Sequence, residues 1–254
     1  MDERSLSARL SRITTIWSMV AGGPRASAST VQDARLALIQ RYQGAAYRYL
    51  LGAVRDADAA DELFQEFALR VMQGAFGRAD PQKGRFRDYL KTTLFHLVID
   101  HQRGPRHRAH PLDLDVVQPA APAWDPAEAD RQFEASWRDE LLARAWNSLA
   151  EAERQGGQPY SSVLRFRVDH PEASSAEMAA RLTEQLKPER PCTETGMRKT
   201  LQRARERFAE ALVDDVAGSL GQSTPEQLEQ ELIDLGLLSY CRSELARRLG
   251  RSQQ

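Results

Sequence analysis

Cysteine is scarce: Cys192 and Cys241 are the only two in 254 residues, far apart and without a C-x-x-C partner. That excludes a disulfide framework and a zinc knuckle, and makes the reduced cytosol the expected compartment. No run approaches the roughly 20 apolar residues of a membrane span. The short apolar segment ITTIWSMVAGG follows acidic and mixed polar residues, which does not suit a secretory signal, so no membrane partner is expected. An excess of one charge is also lacking. With 35 basic and 36 acidic side chains the net charge is −1, so any nucleic-acid contact must rest on local basic clusters, and a nonspecific coating protein is disfavoured. Enzyme signatures are missing too. There is no glycine-rich phosphate loop, no H-E-x-x-H, no G-x-S-x-G and no E-x-x-H pair for a di-iron bundle. His96, Asp100 and His101 could share a metal only if their side chains converged, and helical spacing puts His96 well away from His101. No catalysis, cofactor or metal is expected.

What is present suits an all-α protein with two modest domains: 41% apolar residues for cores and 28% charged residues for helix surfaces. Leu6, Leu10, Ile13, Trp17 and Val20 predict a helix that stops at Gly22-Gly23-Pro24, followed by a small-residue linker, so residues 1–30 form a leading helix and tether. From Val31 to Val54, Leu38, Tyr42, Ala45, Ala46, Tyr49, Leu50 and Ala53 share one side, and Asp58 is expected to cap the next helix.

That next helix, DELFQEFALRVMQ, buries Leu63, Phe64, Phe67, Ala68, Val71 and Met72 as one stripe. Its other face holds Asp61, Glu62, Gln65, Glu66, Leu69 and Gln73, which suits either docking on a basic partner or plain solvation. A turn with a basic tip, GRADPQKGR, leads to FRDYLKTTLFHLVIDHQR. There Phe86, Leu90, Thr93, Leu94, Leu97 and His101 share a face while Phe95 and Ile99 project from the far side, the pattern of a helix sandwiched in a bundle. Arg85, Arg87, Lys91 and Arg103 surround Phe86 and Tyr89, and cations beside rings suit an unpaired nucleic-acid strand as well as they suit a solvated rim over a core. The bundle domain is placed at residues 31–103.

The stretch from Gly104 to Pro126 holds five prolines and little periodicity, so residues 104–125 read as a linker. Periodicity returns with Phe133, Trp137, Leu141, Leu142, Ala145, Trp146 and Leu149, and a second domain is placed at 126–216. Ser174 and Glu177 form a capping-box pattern ahead of Met178, Ala179 and Leu182. Thr193 then caps a helix with Met197, Leu201, Ala204, Phe208 and Leu212 inward and Thr195, Arg198, Lys199, Gln202 and Arg203 outward. Arg and Gln on exposed first turns can reach base edges, whereas the same residues in pairs with Glu194, Glu206 and Glu210 would make a solvated face. TEQLKPERPC, between the two helices of this helix-turn-helix pattern, is longer than the usual turn. Residues 217–254 form a helical extension, with Thr224, Pro225 and Gln227 as its starting signal and a second short helix from Ser239 to Leu249.

Taken together, RYQGAAYRYLLGAVRDADAADELFQEFALRVM, GRFRDYLKTTLFHLVIDHQR and TETGMRKTLQRARERFAE resemble sigma-70-family RNA polymerase sigma factors of the small two-domain extracytoplasmic-function type. Asp61-Glu62-Leu63-Phe64-Gln65-Glu66 is similar to the family's D-L-V-Q-E signature, and Phe86-Arg87 leading to Asp100-His101 is similar to its F-R-x-W-L…N-x-x-x-D-x-x-R pattern. The resemblance implies a region 2-like bundle, a Pro-rich linker and a region 4-like helix-turn-helix domain. It further implies core polymerase and promoter DNA as partners and admits a sequestering anti-sigma protein. Asp61, Glu62, Gln65, Glu66 and Leu69 would bind polymerase. Asp80, Lys83, Arg85, Phe86 and Tyr89, then Lys91, Thr92 and His96, would hold the unpaired minus-ten strand. Thr195, Arg198, Lys199, Gln202 and Arg203 would read the minus-thirty-five duplex. The alternative is a helix-turn-helix regulator that binds duplex DNA and never engages polymerase.

Overall fold

The computed structural model describes residues 28–74, 85–103, 125–188, 191–220 and 224–252. All regular structure among them is α-helical: α1 (Ala28–Val54), α2 (Ala57–Met72), α3 (Phe86–Arg103), α4 (Pro126–Arg154), α5 (Tyr160–Asp169), α6 (Ser175–Leu186), α7 (Glu194–Leu220), α8 (Pro225–Asp234) and α9 (Leu238–Ser252). The expected leading helix, the basic-tipped turn and the Pro-rich linker lie outside the described residues. The fold class read from the sequence is the one observed.

The described residues form two compact units, one drawn from residues 1–140 and 217–228, the other from residues 141–216 and 229–254. In the first, Leu38, Tyr42, Ala45, Ala46, Tyr49, Leu50 and Ala53 of α1 are buried, as their spacing requires. Arg55 takes a left-handed φ of 55°, which ends α1, and Asp56 follows in extended geometry. Asp56, not Asp58, caps α2: its carboxylate accepts from the Ala59 amide at 2.8 Å. Only the residue outside the helix has the extended backbone that lets a side chain reach back to the free amides. Asp58 lies in the first turn, where its charge faces the positive helix end. At the other end Gly74 (φ 87°) reverses the chain, and the Arg35 guanidinium donates to the Met72 carbonyl at 2.7 Å.

The first unit does not stop at the linker. The opening half of α4, Pro126 to Glu140, belongs to it. Trp137 stacks on Tyr42 with ring centroids 4.3 Å apart, and Phe133 meets Tyr49 edge-on at 5.8 Å. Both α4 rings are fully buried, and each such ring stabilises the unit by about 2 to 3 kcal/mol. Gly44 and Gly52 of α1 lie beneath this helix: a Cβ at either would meet the Glu140 or Gln132 side chain within 2.5 Å. The periodicity of α4 correctly marks an apolar stripe; its first half fills the bundle core rather than opening the second domain.

In the second unit Trp146 of α4 packs on Phe208 of α7 at 5.0 Å, with the Arg165 guanidinium over its ring at 4.9 Å. Arg144 donates to the Asp215 carboxylate at 2.6 Å. The Ser174–Glu177 capping box forms as expected and starts α6. Lys187, in left-handed geometry, ends α6, and the Cys192 amide donates to the Thr183 hydroxyl at 2.9 Å. That bond ties the long turn back to the helix it leaves. Thr193 then accepts from the Gly196 amide as the cap of α7. Arg248 of α9 bridges Asp214 and Glu244, and Cys241 beside them is buried, its thiol pushed up to about 11 by desolvation.

Candidate functional site

The outer edge of α2 is open. Asp61, Glu62, Gln65 and Leu69 are exposed, Leu69 with 51% of its surface free, while Leu63, Phe67 and Val71 on the opposite face are buried. Glu66 is half-buried and accepts from Arg70 one turn on, at 2.7 Å. A leucine kept in water among carboxylates gains nothing from folding, and a basic, partly apolar partner surface would bury it. Tyr47, which helical spacing does not single out, adjoins this edge. This α1 residue lies off the buried stripe, its phenol hydrogen-bonds to Asp61 and is raised above its ordinary value chiefly by that bond, and its ring meets Phe64 edge-on at 6.1 Å. An aromatic residue off the apolar stripe was the available signal.

On α3 the expected strand-binding residues separate onto two sides. Arg85, Tyr89, Thr92 and His96 follow at four-, three- and four-residue steps and so form one stripe. Thr92 is exposed and its hydroxyl donates to the Asp88 carbonyl; the other three are half-buried. Burial lowers the His96 imidazole, opposed by Asp100 and reinforced by Arg103, so at neutral pH the ring is a hydrogen-bonding group rather than a cation. Its neighbour Phe95 meets it edge-on at 5.7 Å and adds a second half-exposed ring. Asp80 and Lys83 lie outside the described residues.

Phe86 requires correction. With 0% of its surface exposed it packs between Tyr42 at 5.3 Å and Trp137 at 6.5 Å, so its faces cannot stack on a base. The reason lies in its position: it shares the stripe of Leu90, Thr93 and Leu97, and the apolar stripe outweighs the neighbouring cations. Tyr89, by contrast, is half-buried. Lys91 lies on the second side, where α4 lies against it. Its ammonium pairs with Asp130 at 3.0 Å, and the buried Arg87 guanidinium pairs with Glu134 at 3.1 Å.

In the second unit Thr195, Arg198, Lys199, Gln202 and Arg203 of α7 are all exposed, with Arg205 and Arg207 further along, while Met197, Leu201, Ala204, Phe208 and Leu212 are buried. Arg198 pairs with Glu194, Gln202 donates to Glu206 at 3.1 Å, and Arg207 pairs with Glu210 at 2.9 Å. These exposed pairs along the helix are weak, so the cations remain available to phosphates. Among the described residues no cluster of His, Cys, Asp and Glu could hold a metal, and no helix is long and apolar enough to cross a membrane.

Residues 38–108 match the family model for sigma-70 region 2. The match takes in α1 from Leu38, α2 and α3, and so contains both the acid-edged helix and the α3 stripe. It ends before α4, although the opening half of α4 completes the core of the same unit. No curated protein and no solved structure matches the chain significantly.

Proposed function

Given that the chain belongs to the sigma-70 family through its region 2 domain, we propose that it is a promoter-specificity subunit that binds core RNA polymerase, holds unpaired minus-ten DNA and anchors the minus-thirty-five duplex. The α2 edge of Asp61, Glu62, Gln65 and Leu69, extended by Tyr47, docks on polymerase. The α3 stripe of Arg85, Tyr89, Thr92 and His96, with Asp80 and Lys83 from the preceding turn, receives the melted strand. Holding an everted base against a ring offsets the few kcal/mol that unstacking costs, so melting proceeds on binding energy alone and without a catalytic residue. The outer arc of α7 neutralises phosphates and reaches base edges from its first turns.

The observation that supports this most is the exposed Leu69 set beside the exposed Asp61, Glu62 and Gln65 on a helix within the region 2 match. Transcription in vitro on a promoter library tests it. Addition of the chain to core polymerase is expected to yield transcripts from a defined subset of promoters. Duplex binding without any polymerase-dependent transcript would instead favour the stand-alone helix-turn-helix regulator. The extracytoplasmic-function type, a cytoplasmic location and a sequestering regulatory protein are further parts of this reading.

A further inference from the structure

The two cations on the α4 side of α3 are engaged by carboxylates of the chain itself. Asp130 holds Lys91 and Glu134 holds Arg87, one helical turn apart on α4, so two carboxylates face two cations across one helix pair. The helix that carries them is fastened from the other side by Phe133 and Trp137 in the core and by Arg48 of α1, whose guanidinium donates to the Ser136 hydroxyl at 2.7 Å and pairs with Glu140 at 3.5 Å. These acids are therefore not free to drift away. The Lys91 pair nevertheless reaches solvent, with about a quarter of the lysine side chain and more than a third of the aspartate exposed (25% and 38%). A partly exposed ion pair exchanges partners at little cost.

We propose that Asp130 is a built-in competitor for nucleic-acid phosphates: beside the pair that buried Arg87 makes with Glu134, it occupies Lys91 in the free protein and so weakens binding to single-stranded DNA. This inference rests on the reading of α3 as a strand-binding helix. No movement of α4 is required. A phosphate arriving on the α4 side of α3 takes the partly exposed Lys91 from Asp130 by side-chain exchange, and the competition lowers affinity for any stray single strand. Polymerase, by holding the melted strand close to α3, supplies the effective concentration that overcomes it.

The test uses the full chain and a fluorescently labelled single-stranded oligodeoxynucleotide, titrated at several salt concentrations. Asp130→Asn, which keeps the shape of the side chain, is expected to bind roughly two- to fivefold more tightly. Its dependence of log affinity on log salt should steepen by about 0.7, the increment for one further phosphate contact to a single strand. Adding Lys91→Ala to Asp130→Asn should cancel the gain. Asp130→Ser, with the same gain and the same cancellation by Lys91→Ala expected, serves as a second variant if the first is poorly folded. An unchanged affinity and slope, or a gain that survives Lys91→Ala, overturns the proposal. Polymerase copurification on the same proteins separates the two claims. Binding to core with a flat oligonucleotide series sinks the competitor alone, whereas failure to bind core sinks the functional reading and leaves the titration to judge the competitor.

Discussion

The Trp137 indole lies flat on the Tyr42 phenol, with centroids 4.3 Å apart and planes 9° from parallel. These residues stand on opposite sides of a Pro-rich stretch, yet they share one core with Phe86 and Phe133. The unit that holds the region 2 match thus includes a helix that the match does not cover.

Trp137→Ala is expected to destabilise the first unit by about 3 to 5 kcal/mol, the usual cost of emptying an aromatic core site. Trp137→Phe should cost far less, since it keeps a ring on Tyr42 and removes an indole N–H that has no acceptor among the described residues. Peptide-resolved hydrogen exchange of α1 and α3 is the suitable measurement, because two units need not unfold together. Unchanged protection in Trp137→Ala would show that α4 is not part of this core.

His96 makes the first unit sensitive to acid. Burial holds its imidazole below the ordinary 6.5, so the unfolded chain takes up that proton at a higher pH than the folded one. The contribution of neutral His96 is therefore complete above about pH 6.5 and declines as the pH falls toward the lowered folded value. Denaturation midpoints of the first unit at about pH 7.5 and pH 5.5 should differ less in His96→Gln than in the parent. Equal pH dependence in the two proteins would place the titration elsewhere.

Arg198→Ala with Lys199→Ala should weaken duplex DNA binding at every sequence and reduce the salt slope by about 1.8, two phosphate contacts at about 0.9 each. Gln202→Ala should leave the slope alone and relax base preference. Both changes fall on the exposed arc of α7, away from Met197, Leu201 and Ala204, so the fold should survive. Anisotropy titrations with a duplex at several salt concentrations read both effects. An unaltered slope in the double variant would remove α7 from the DNA-binding surface.

Much of this architecture was legible because it is local. The buried stripe of α1, the open edge of α2, the Ser174 capping box and the Thr224–Gln227 start of α8 all follow from spacing and from side chains that satisfy nearby amides. What escaped is tertiary. Periodicity says that Phe133 and Trp137 face a core and does not say which core, so the prolines before them suggested a domain boundary that the packing ignores. Phe86 belonged at once to an apolar stripe and to a basic, aromatic cluster; burial against Tyr42 decides between them. Gly44 and Gly52, inside α1 with no turn nearby, were the clue to the crossing helix, since a glycine in a helix interior often marks close approach.

The measurement that bears most directly on this account is copurification with core RNA polymerase of the parent chain and of Leu69→Arg combined with Glu62→Lys. Both positions are exposed, so the fold should be kept, and circular dichroism can verify it. The account predicts that the parent chain is retained on core polymerase and the double variant is lost, with duplex DNA binding by the second unit undiminished. A folded double variant that binds core as well as the parent would contradict it.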